Sequence, residues 1–274
     1  MASGEALGAA IMVGLVMTMA FSWPAYKGWQ CRERYNLVRK TPTATPATAR
    51  AGETVVVSGN AESAERVAGP VSGEDGVLAA WTIDEWQDES HQLKYWSAEA
   101  RGLRHPRLRI EEDGVSVSLA ARESAENAGM TTSILGYDAV VGFDVKETLL
   151  ELASFETEIE VPQADDPSEH LRDLEESLGI EESSRGANFI DVGRKHGARR
   201  YRETLLEAGE SVTYRGTVTA DGELKPPEDG PAILSTLSVD ALARRYRWVY
   251  WKLFYGSIGI VVFTMLFASA AVAA

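Results

Sequence analysis

The chain has 274 residues, with 27 Lys and Arg against 41 Asp and Glu, and a formal net charge of −14. This length allows one ordinary soluble domain with two membrane spans, or two small domains. The single cysteine, Cys31, excludes an internal disulfide and every zinc module built from several cysteines.

The first element in chain order is an apolar run at residues 6–26 that contains no charged side chain. At about 1.5 Å per residue, a helix of this length reaches about 30 Å, the thickness of a bilayer's hydrocarbon core. Aromatic residues follow at its end, where rings favour the headgroup region. A cleaved signal peptide is the alternative, but Glu5 precedes the run and no Lys or Arg does. The pattern therefore favours a retained transmembrane helix.

Residues 27–52 form a predicted juxtamembrane segment. We expect the helix to continue to about Lys40 and to end in residues 41–46 (TPTATP), because proline disfavours helix at its own position and at the residue before it.

The middle of the chain, residues 53–240, is predicted to be one acidic, mostly β domain. It carries 17 basic and 39 acidic residues, a net charge of −22. Such a domain repels nucleic acid and stays hydrated at high salt, so nucleic acid is not an expected partner and a halophilic source is expected. Strand-like runs occupy residues 53–58 (stopping at Gly59), 79–86, 93–97, 107–112 and 114–120, and Asp113-Gly114 predicts a hairpin between the last two.

One helix is predicted after Asp166, which we expect to cap it, with Pro167 at the first helical position and Gly179 at the end. Strands are then predicted at 199–206 and 211–220, joined by a turn at 207–210. The stretch 133–145 is compatible with strand or helix. Residues 239–246 read as a helix that leads into the second apolar run.

The second predicted transmembrane helix covers residues 253–274. Basic residues follow the first span and precede the second, both on the side of the middle domain. The positive-inside rule therefore places the domain in the cytoplasm and both termini outside a cell membrane that the chain crosses twice. The residues expected at the membrane interface are Trp23, Tyr26, Lys27, Trp29, Arg244, Arg245, Arg247, Trp248, Trp251 and Lys252.

No catalytic or metal-binding pattern is recognisable in the sequence. The four histidines are scattered, without a metal-ligand spacing, so we expect no metal and no cofactor. The basic cluster at residues 194–202 is interpreted first as an internal ion-pair surface, second as a lipid contact and last as a nucleic-acid site.

Several motifs together resemble the GIDE domain, also called the beside-a-membrane (BAM) domain. The motifs are residues 36–43 (NLVRKTPT), 54–61 (TVVVSGNA), 70–73 (PVSG), the acidic hairpin at 110–117, and 200–203 (RYRE) with the glycines that follow. The residues that carry the resemblance are Thr41, Pro42, Thr43, Gly59, Pro70, Gly73, Tyr201, Glu203, Gly209, Glu210 and Gly216.

The resemblance implies an α+β, mostly β domain beside a membrane, flanked by one transmembrane helix at each end, in a prokaryotic and haloarchaeal relative of the mitochondrial RING ubiquitin ligases. A RING needs several Cys and His ligands for zinc, and with one cysteine this chain is expected to lack it. The expected function is therefore a membrane-anchored interaction or scaffold domain, with a LemA-type membrane protein as a candidate partner by resemblance. A ligase-like transferase that works with a RING in trans, and a hydrolase with an unrecognised site, are the alternatives.

Overall fold

The computed structural model describes residues 2–87, 95–119, 124–127, 142–145, 147–152, 154–180 and 196–273. It divides into two compact units, one formed by Met1–Lys40 with Asp240–Ala274 and the other by Thr41–Val239. We refer to them as the helical unit and the β domain.

Four helices and sixteen strands make up the described chain. The helices are α1 (Ala2–Lys40), α2 (Glu169–Ser177), α3 (Val239–Tyr250) and α4 (Gly256–Ala273), with a π-helical turn at Trp251–Tyr255 between the last two. The strands are β1 (Thr43–Ala44), β2 (Thr54–Glu62), β3 (Val67–Ala68), β4 (Asp75–Gly76), β5 (Leu78–Gln87), β6 (Tyr95–Arg104), β7 (Arg109–Glu112), β8 (Val115–Leu119), β9 (Ser124–Asn127), β10 (Gly142–Val145), β11 (Thr148–Glu151), β12 (Thr157–Val161), β13 (Arg199–Leu206), β14 (Ser211–Val218), β15 (Glu223–Lys225) and β16 (Ala232–Ser235). The predicted α+β class with a mostly β domain is confirmed.

Five strands of the β domain close into a ring. β2 pairs with β7, β7 with β8, β8 with β15, β15 with β14, and β14 again with β2. Only the β8–β15 pair is parallel among these five. A small five-stranded barrel of this kind is the form of the OB-fold. Apolar side chains such as Val57, Ile110 and Tyr214 fill it, each exposed by no more than 1%.

The predicted hairpin at Asp113-Gly114 is confirmed as the β7–β8 turn, with φ of 52° and 78° at the two residues. The prediction that the first strand stops at Gly59 is wrong, because β2 continues to Glu62. A Cβ at Gly59 would lie 2.5 Å from the Glu111 carbonyl oxygen. The glycine therefore admits the close approach of β7 instead of ending the strand.

A second, five-stranded sheet has the order β12-β13-β5-β6-β9. Its strands come from segments inserted between β2 and β7 and between β8 and β14. Leu171 and Leu174 of α2 pack with Trp81, Ile83 and Tyr201 of this sheet in a second apolar core.

The beginning of α2 differs from the prediction. The helix begins at Glu169 with Ser168 as its N-cap residue, so Asp166 is not the cap and Pro167 is not the first helical residue. The Ser168 hydroxyl contacts His170 Nδ1 at 3.1 Å and makes no capping hydrogen bond. As predicted, Gly179 lies just after the end of the helix, with φ of +65°.

The histidine that follows β6 makes stability depend on pH. His105 is 1% exposed, and neither ring nitrogen has a hydrogen-bond partner within the part of the chain that the structure describes. Burial lowers the pKa of His105 to about 4. The unfolded chain binds this proton near pH 6.5, so acidification below pH 6.5 favours unfolding.

We therefore expect wild-type protein to lose about 2 kcal/mol of unfolding free energy between pH 7 and pH 5 that a His105→Phe variant does not lose. Urea titrations of both proteins at each pH measure the two unfolding free energies. Subtracting one protein's pH dependence from the other's cancels the contribution of the carboxyl groups, which both proteins share. Parallel pH profiles for the two proteins would contradict this assignment.

The C-terminal helix is apolar and long. By length and composition, the helical segment Val239–Leu266 could cross a membrane, and 11% of the residues in its most apolar stretch are buried. α4 alone, with 18 residues, reaches about 27 Å. The prediction of a C-terminal membrane-spanning candidate is confirmed at this level.

Candidate functional site

α1 packs antiparallel to the C-terminal helix within the helical unit. Gly28 faces Phe254, where an added Cβ would lie 2.7 Å from the Phe254 backbone nitrogen. One turn later, the Arg32 guanidinium carbon lies 5.8 Å from the Tyr250 ring centroid, and Arg39 Nη1 lies 3.5 Å from Asp240 Oδ1. As the numbers rise along α1 they fall along its neighbour, which brings the chain back in the opposite direction.

The glycine at this crossing is expected to be essential for the close packing of the two helices. Gly28→Leu should lower the free energy of unfolding in detergent by about 1–3 kcal/mol, because a side chain there meets backbone atoms that cannot move aside. Gly256→Leu is the matched control, since nothing lies within 4 Å of its Cβ position. Equal losses for the two variants in SDS titrations would refute the packing role.

The structure places most of the predicted interface residues on the surface of the helical unit. Tyr26, Trp29, Trp248 and Trp251 are 41–59% exposed, Arg244, Arg247 and Lys252 are exposed, and Lys27 and Arg245 are half-buried. The side chain of Trp23 lies outside the described part of the structure. Lys252 Nζ lies 4.7 Å from the Trp248 ring centroid, and the Trp251 and Tyr255 rings are 4.4 Å apart.

In the β domain, residues 69–74 form a tight loop between β3 and β4, which we call the clamped loop. Gly69 N donates to Glu74 O at 2.7 Å, and Gly73 N donates to Gly69 O at 2.9 Å. Gly73 has φ of +74°, a conformation that favours glycine.

Glu203 on β13 holds this loop through its carboxylate. The residue is 1% exposed and accepts hydrogen bonds from Val71 N at 2.8 Å, Ser72 N at 3.3 Å and Ser72 Oγ at 2.5 Å. Gly69 is required beside it, because a Cβ there would lie 2.4 Å from Glu203 Oε1. A buried carboxylate is costly unless several donors satisfy it, and here the donors come from one short loop.

α2 supports the same loop from its other side. His170 Nε2 lies 2.8 Å from the Val71 carbonyl oxygen, and because a carbonyl only accepts, that nitrogen donates. The Val71 side chain is 1% exposed in the second core. The tip of the loop, Gly73 and Glu74, faces solvent, as does Asp75 at the start of β4. The result is a rigidly supported loop with an exposed acidic tip.

Buried ion pairs join α2 to the sheet below it. Arg199 Nη1 lies 2.6 Å from Glu175 Oε1, and Arg199 Nε lies 3.5 Å from Glu85 Oε2. The Tyr201 hydroxyl also donates to Glu175. Burial and the Glu175 carboxylate together raise the pKa of Tyr201, so its hydroxyl stays protonated as the donor.

The opposite side of the same strands carries a second group of ion pairs. Asp84, 4% exposed, lies 2.9 Å from Arg200 Nη2 and 2.8 Å from Arg202 Nη2. Arg200 also contacts the Trp96 ring at 4.4 Å, and Arg202 contacts the Phe155 ring at 4.5 Å. For these arginines the structure supports the internal ion-pair interpretation of the basic cluster. Arg194 and Lys195 lie outside the described residues.

Next to both groups, Glu99 sits at a β-bulge. The register between β5 and β6 shifts at Ile83/Asp84, which leaves Glu99 as the extra residue of β6. Burial, followed by repulsion from Glu85, raises the pKa of Glu99. Bulges re-aim side chains, and here the bulge directs a carboxyl group toward existing charges.

The start of the β domain is held by a buried arginine. Arg215 on β14 is 1% exposed and donates to Thr41 Oγ1 at 3.0 Å, Pro231 O at 3.0 Å and Asp229 Oδ1 at 2.8 Å. Val56 N donates to Pro42 O at 2.9 Å, and Thr43 pairs with Val56 in β1.

The remaining motif residues belong to the ring. Gly209 N donates to Ala61 O, and Ala61 N donates to Glu210 O, so the 207–210 turn is tied to β2. A Cβ at Gly216 would lie 2.4 Å from a ring carbon of Tyr214. The motif residues thus fall into three groups, at the domain start, at the clamped loop and in the ring.

Sequence reasoning did not find several residues that position these groups. They are Gly28, Arg32, Asp84, Glu99, His170, Glu175 and Arg215. The available signal was a polar or charged residue at every second strand position, as for Arg215 between Thr213 and Thr217. That signal is weak, since it fits an exposed strand face equally well.

Over the described residues, no group of three or more His, Cys, Asp or Glu side chains is placed to hold a metal ion. The buried carboxylates of Glu203, Glu175 and Asp84 are each occupied as hydrogen-bond acceptors or ion-pair partners. The arrangement therefore positions a loop and a helix rigidly on a sheet.

Comparison with known proteins gives one family. The GIDE family model, described as E3 Ubiquitin ligase, matches residues 156–268. The match runs from β12 to α4 and includes Tyr201, Glu203 and Arg215. No curated protein and no solved structure matches the chain. The resemblance to the GIDE family that the sequence motifs predict is therefore confirmed over residues 156–268.

Proposed function

We propose that this chain is a membrane-anchored docking domain, in which two antiparallel helices cross the bilayer and the β domain binds a protein partner beside it. The observation that carries the proposal is the set of apolar side chains exposed on both helices of the helical unit. It includes Met12, Leu15 and Val16 on α1, and Ile258, Ile260, Val262, Phe263, Met265 and Leu266 on α4.

These exposed side chains belong to antiparallel helices. If the pairings of Gly28 with Phe254 and Arg32 with Tyr250 are continued along both helices, Val16 comes to the level of Leu266. An exposed apolar surface of this extent on two adjacent helices suits lipid tails better than water. α1 also continues through Pro24, which membrane helices tolerate. These features support α1 as the first span.

The orientation follows from the basic residues beside the two apolar segments. The domain would face the cytoplasm and both termini the outside, as the positive-inside rule predicts. Antiparallel helices agree with this arrangement, because they return the chain to the side on which it began.

For partner binding, the clamped loop is the best-supported surface of the β domain. Buried groups hold this loop through Val71, its Glu74 and the adjacent Asp75 are exposed, and α2 beside it exposes Glu169, Asp173 and Glu176. Binding residues are often carried on loops that a rigid scaffold positions. The charge favours a basic protein surface, and a LemA-type membrane protein is one candidate by resemblance.

Crosslinking in native membranes, followed by mass spectrometry, tests this proposal. A doubly substituted chain with Glu74→Lys and Asp75→Lys should lose a specific crosslinked partner that the wild-type chain gives. Glu223→Lys, at an exposed position of the ring strand β15, is the control and should retain the partner. No reproducible partner for the wild type, or equal loss in both variants, would overturn the docking role.

The family description favours a second candidate, a role related to ubiquitin-type ligation with the RING supplied in trans. A purified RING protein with its conjugating enzyme should then modify substrates faster when the chain is present in the same vesicles. An unchanged rate would refute the ligation role and leave the docking role as the proposal.

A further inference from the structure

We propose that the helical unit binds an anionic phospholipid headgroup at Arg32, where α1 lies beside Tyr250 at the end of α3. The inference rests on the proposed membrane anchoring, but it does not involve the clamped loop or any protein partner.

The Arg32 guanidinium is held by aromatic rings of both helices. Its central carbon lies 5.1 Å from the Trp29 ring centroid on α1 and 5.8 Å from the Tyr250 centroid on α3. Arg32 is exposed, and no carboxylate of a described residue lies within ion-pair distance of it. The adjacent Glu33 accepts a hydrogen bond from Trp29 Nε1 at 2.9 Å instead.

The charge around Arg32 is strongly positive, unlike the rest of the chain. Residues 27–40 and 240–252 contain nine Lys and Arg against two acidic residues, Glu33 and Asp240. Asp240 is paired with Arg39. The whole chain has a net charge of −14 and would otherwise repel an anionic membrane surface. A lipid phosphate at this position therefore meets a strongly basic part of the helical unit.

The chemistry of the side chains selects a phosphate at the membrane interface. A guanidinium presents parallel N–H donors that match two phosphate oxygens, and its cation–π contacts orient it before a ligand arrives. The exposed Trp29 ring beside it, and the exposed Trp251 ring next to Tyr250, suit the headgroup level where that phosphate lies. Exposed Arg244 and Arg247 add charge on the same unit.

Native mass spectrometry of the full chain in non-ionic detergent tests the site, with phosphatidylglycerol and phosphatidylcholine added in equal amounts. Wild-type chain should retain phosphatidylglycerol preferentially, and Arg32→Gln should weaken that retention about fivefold. Arg32→Lys, which keeps the charge without the planar fork, should fall between them. Arg50→Gln, at an exposed arginine of the β domain, is the control and should behave as wild type.

Equal retention of the two lipids, or an Arg32→Gln variant that matches wild type, would overturn the inference. Release of bound lipid by millimolar inorganic phosphate would show a general phosphate site and would also overturn it. Carbonate extraction of the membranes separates this failure from failure of the anchoring: an extracted chain refutes the membrane spans, whereas a retained chain without lipid preference refutes only the headgroup site.

Discussion

Replacing Glu203 by Ala is expected to lower the free energy of unfolding by about 3 kcal/mol. The substitution removes the acceptor for Val71 N, Ser72 N and Ser72 Oγ in a site from which water is largely excluded. Urea denaturation of the full chain in detergent, followed by tryptophan fluorescence, measures the loss. Trp81 lies in the same apolar core as Val71 and reports on it.

Two comparisons distinguish the clamp from a general effect of removing charge. Glu203→Gln keeps one acceptor oxygen and should cost less than Glu203→Ala. Glu223→Ala, at an exposed position of the same domain, should change stability by less than about 0.5 kcal/mol. A Glu203→Ala protein as stable as the Glu223→Ala protein would show that the carboxylate does not hold the loop.

Replacing Glu175 by Leu is expected to destabilise the protein by a similar amount, about 3 kcal/mol. Leucine fits an apolar helix face, but it leaves the Arg199 guanidinium and the Tyr201 hydroxyl without the carboxylate between them. Glu85 remains 3.5 Å from Arg199 and limits the loss. Chemical denaturation again provides the measurement.

A double-mutant cycle isolates the ion pair. Arg199→Met should cost much less in the Glu175→Leu protein than in the wild type, because the buried charge has then already lost its partner. Glu176→Leu, at the exposed neighbouring position, is the control for placing leucine in α2. Strictly additive losses would mean that Glu175 and Arg199 do not interact in the folded protein.

Local patterns predicted the elements that depend on local physics. Asp113-Gly114 marks the β7–β8 hairpin because both residues adopt positive φ, which these residue types tolerate. The strand at 199–206 and the turn at 207–210 were likewise readable from alternation and turn residues. The uncharged run at residues 253–274 likewise predicted the apolar C-terminal helix from local composition alone.

Elements that depend on distant partners were missed. The closed ring needs β2 to pair with β14, more than 150 residues later, and no local pattern encodes that pairing. Gly59 was interpreted as a strand end because the sequence around it does not show the Glu111 carbonyl oxygen. That oxygen lies on another strand and leaves no room for a side chain at Gly59. The Asp166 cap was predicted from spacing alone, whereas tertiary contacts of His170 and Leu171 fix the start of α2.

For the candidate site, resemblance located the residues and the structure supplied their contacts. Pro70, Gly73, Tyr201 and Glu203 were identified as motif residues, far apart in sequence. Their meeting at the clamped loop follows from the β13–β5 register and from the β3–β4 pair. Arg32 and Gly28 could not be recognised, since their partners belong to the other end of the chain.

The proposed topology, in which two helices cross the bilayer with the β domain on one side and both termini on the other, can be tested by labelling single cysteines in sealed vesicles. In a Cys31→Ser background, Asp221→Cys reports on an exposed turn of the β domain and Ser3→Cys on the N-terminus. With a membrane-impermeant maleimide and inside-out vesicles, Asp221→Cys should be labelled directly, and Ser3→Cys only after the vesicles are permeabilised. Labelling of both positions from the same side would contradict the account.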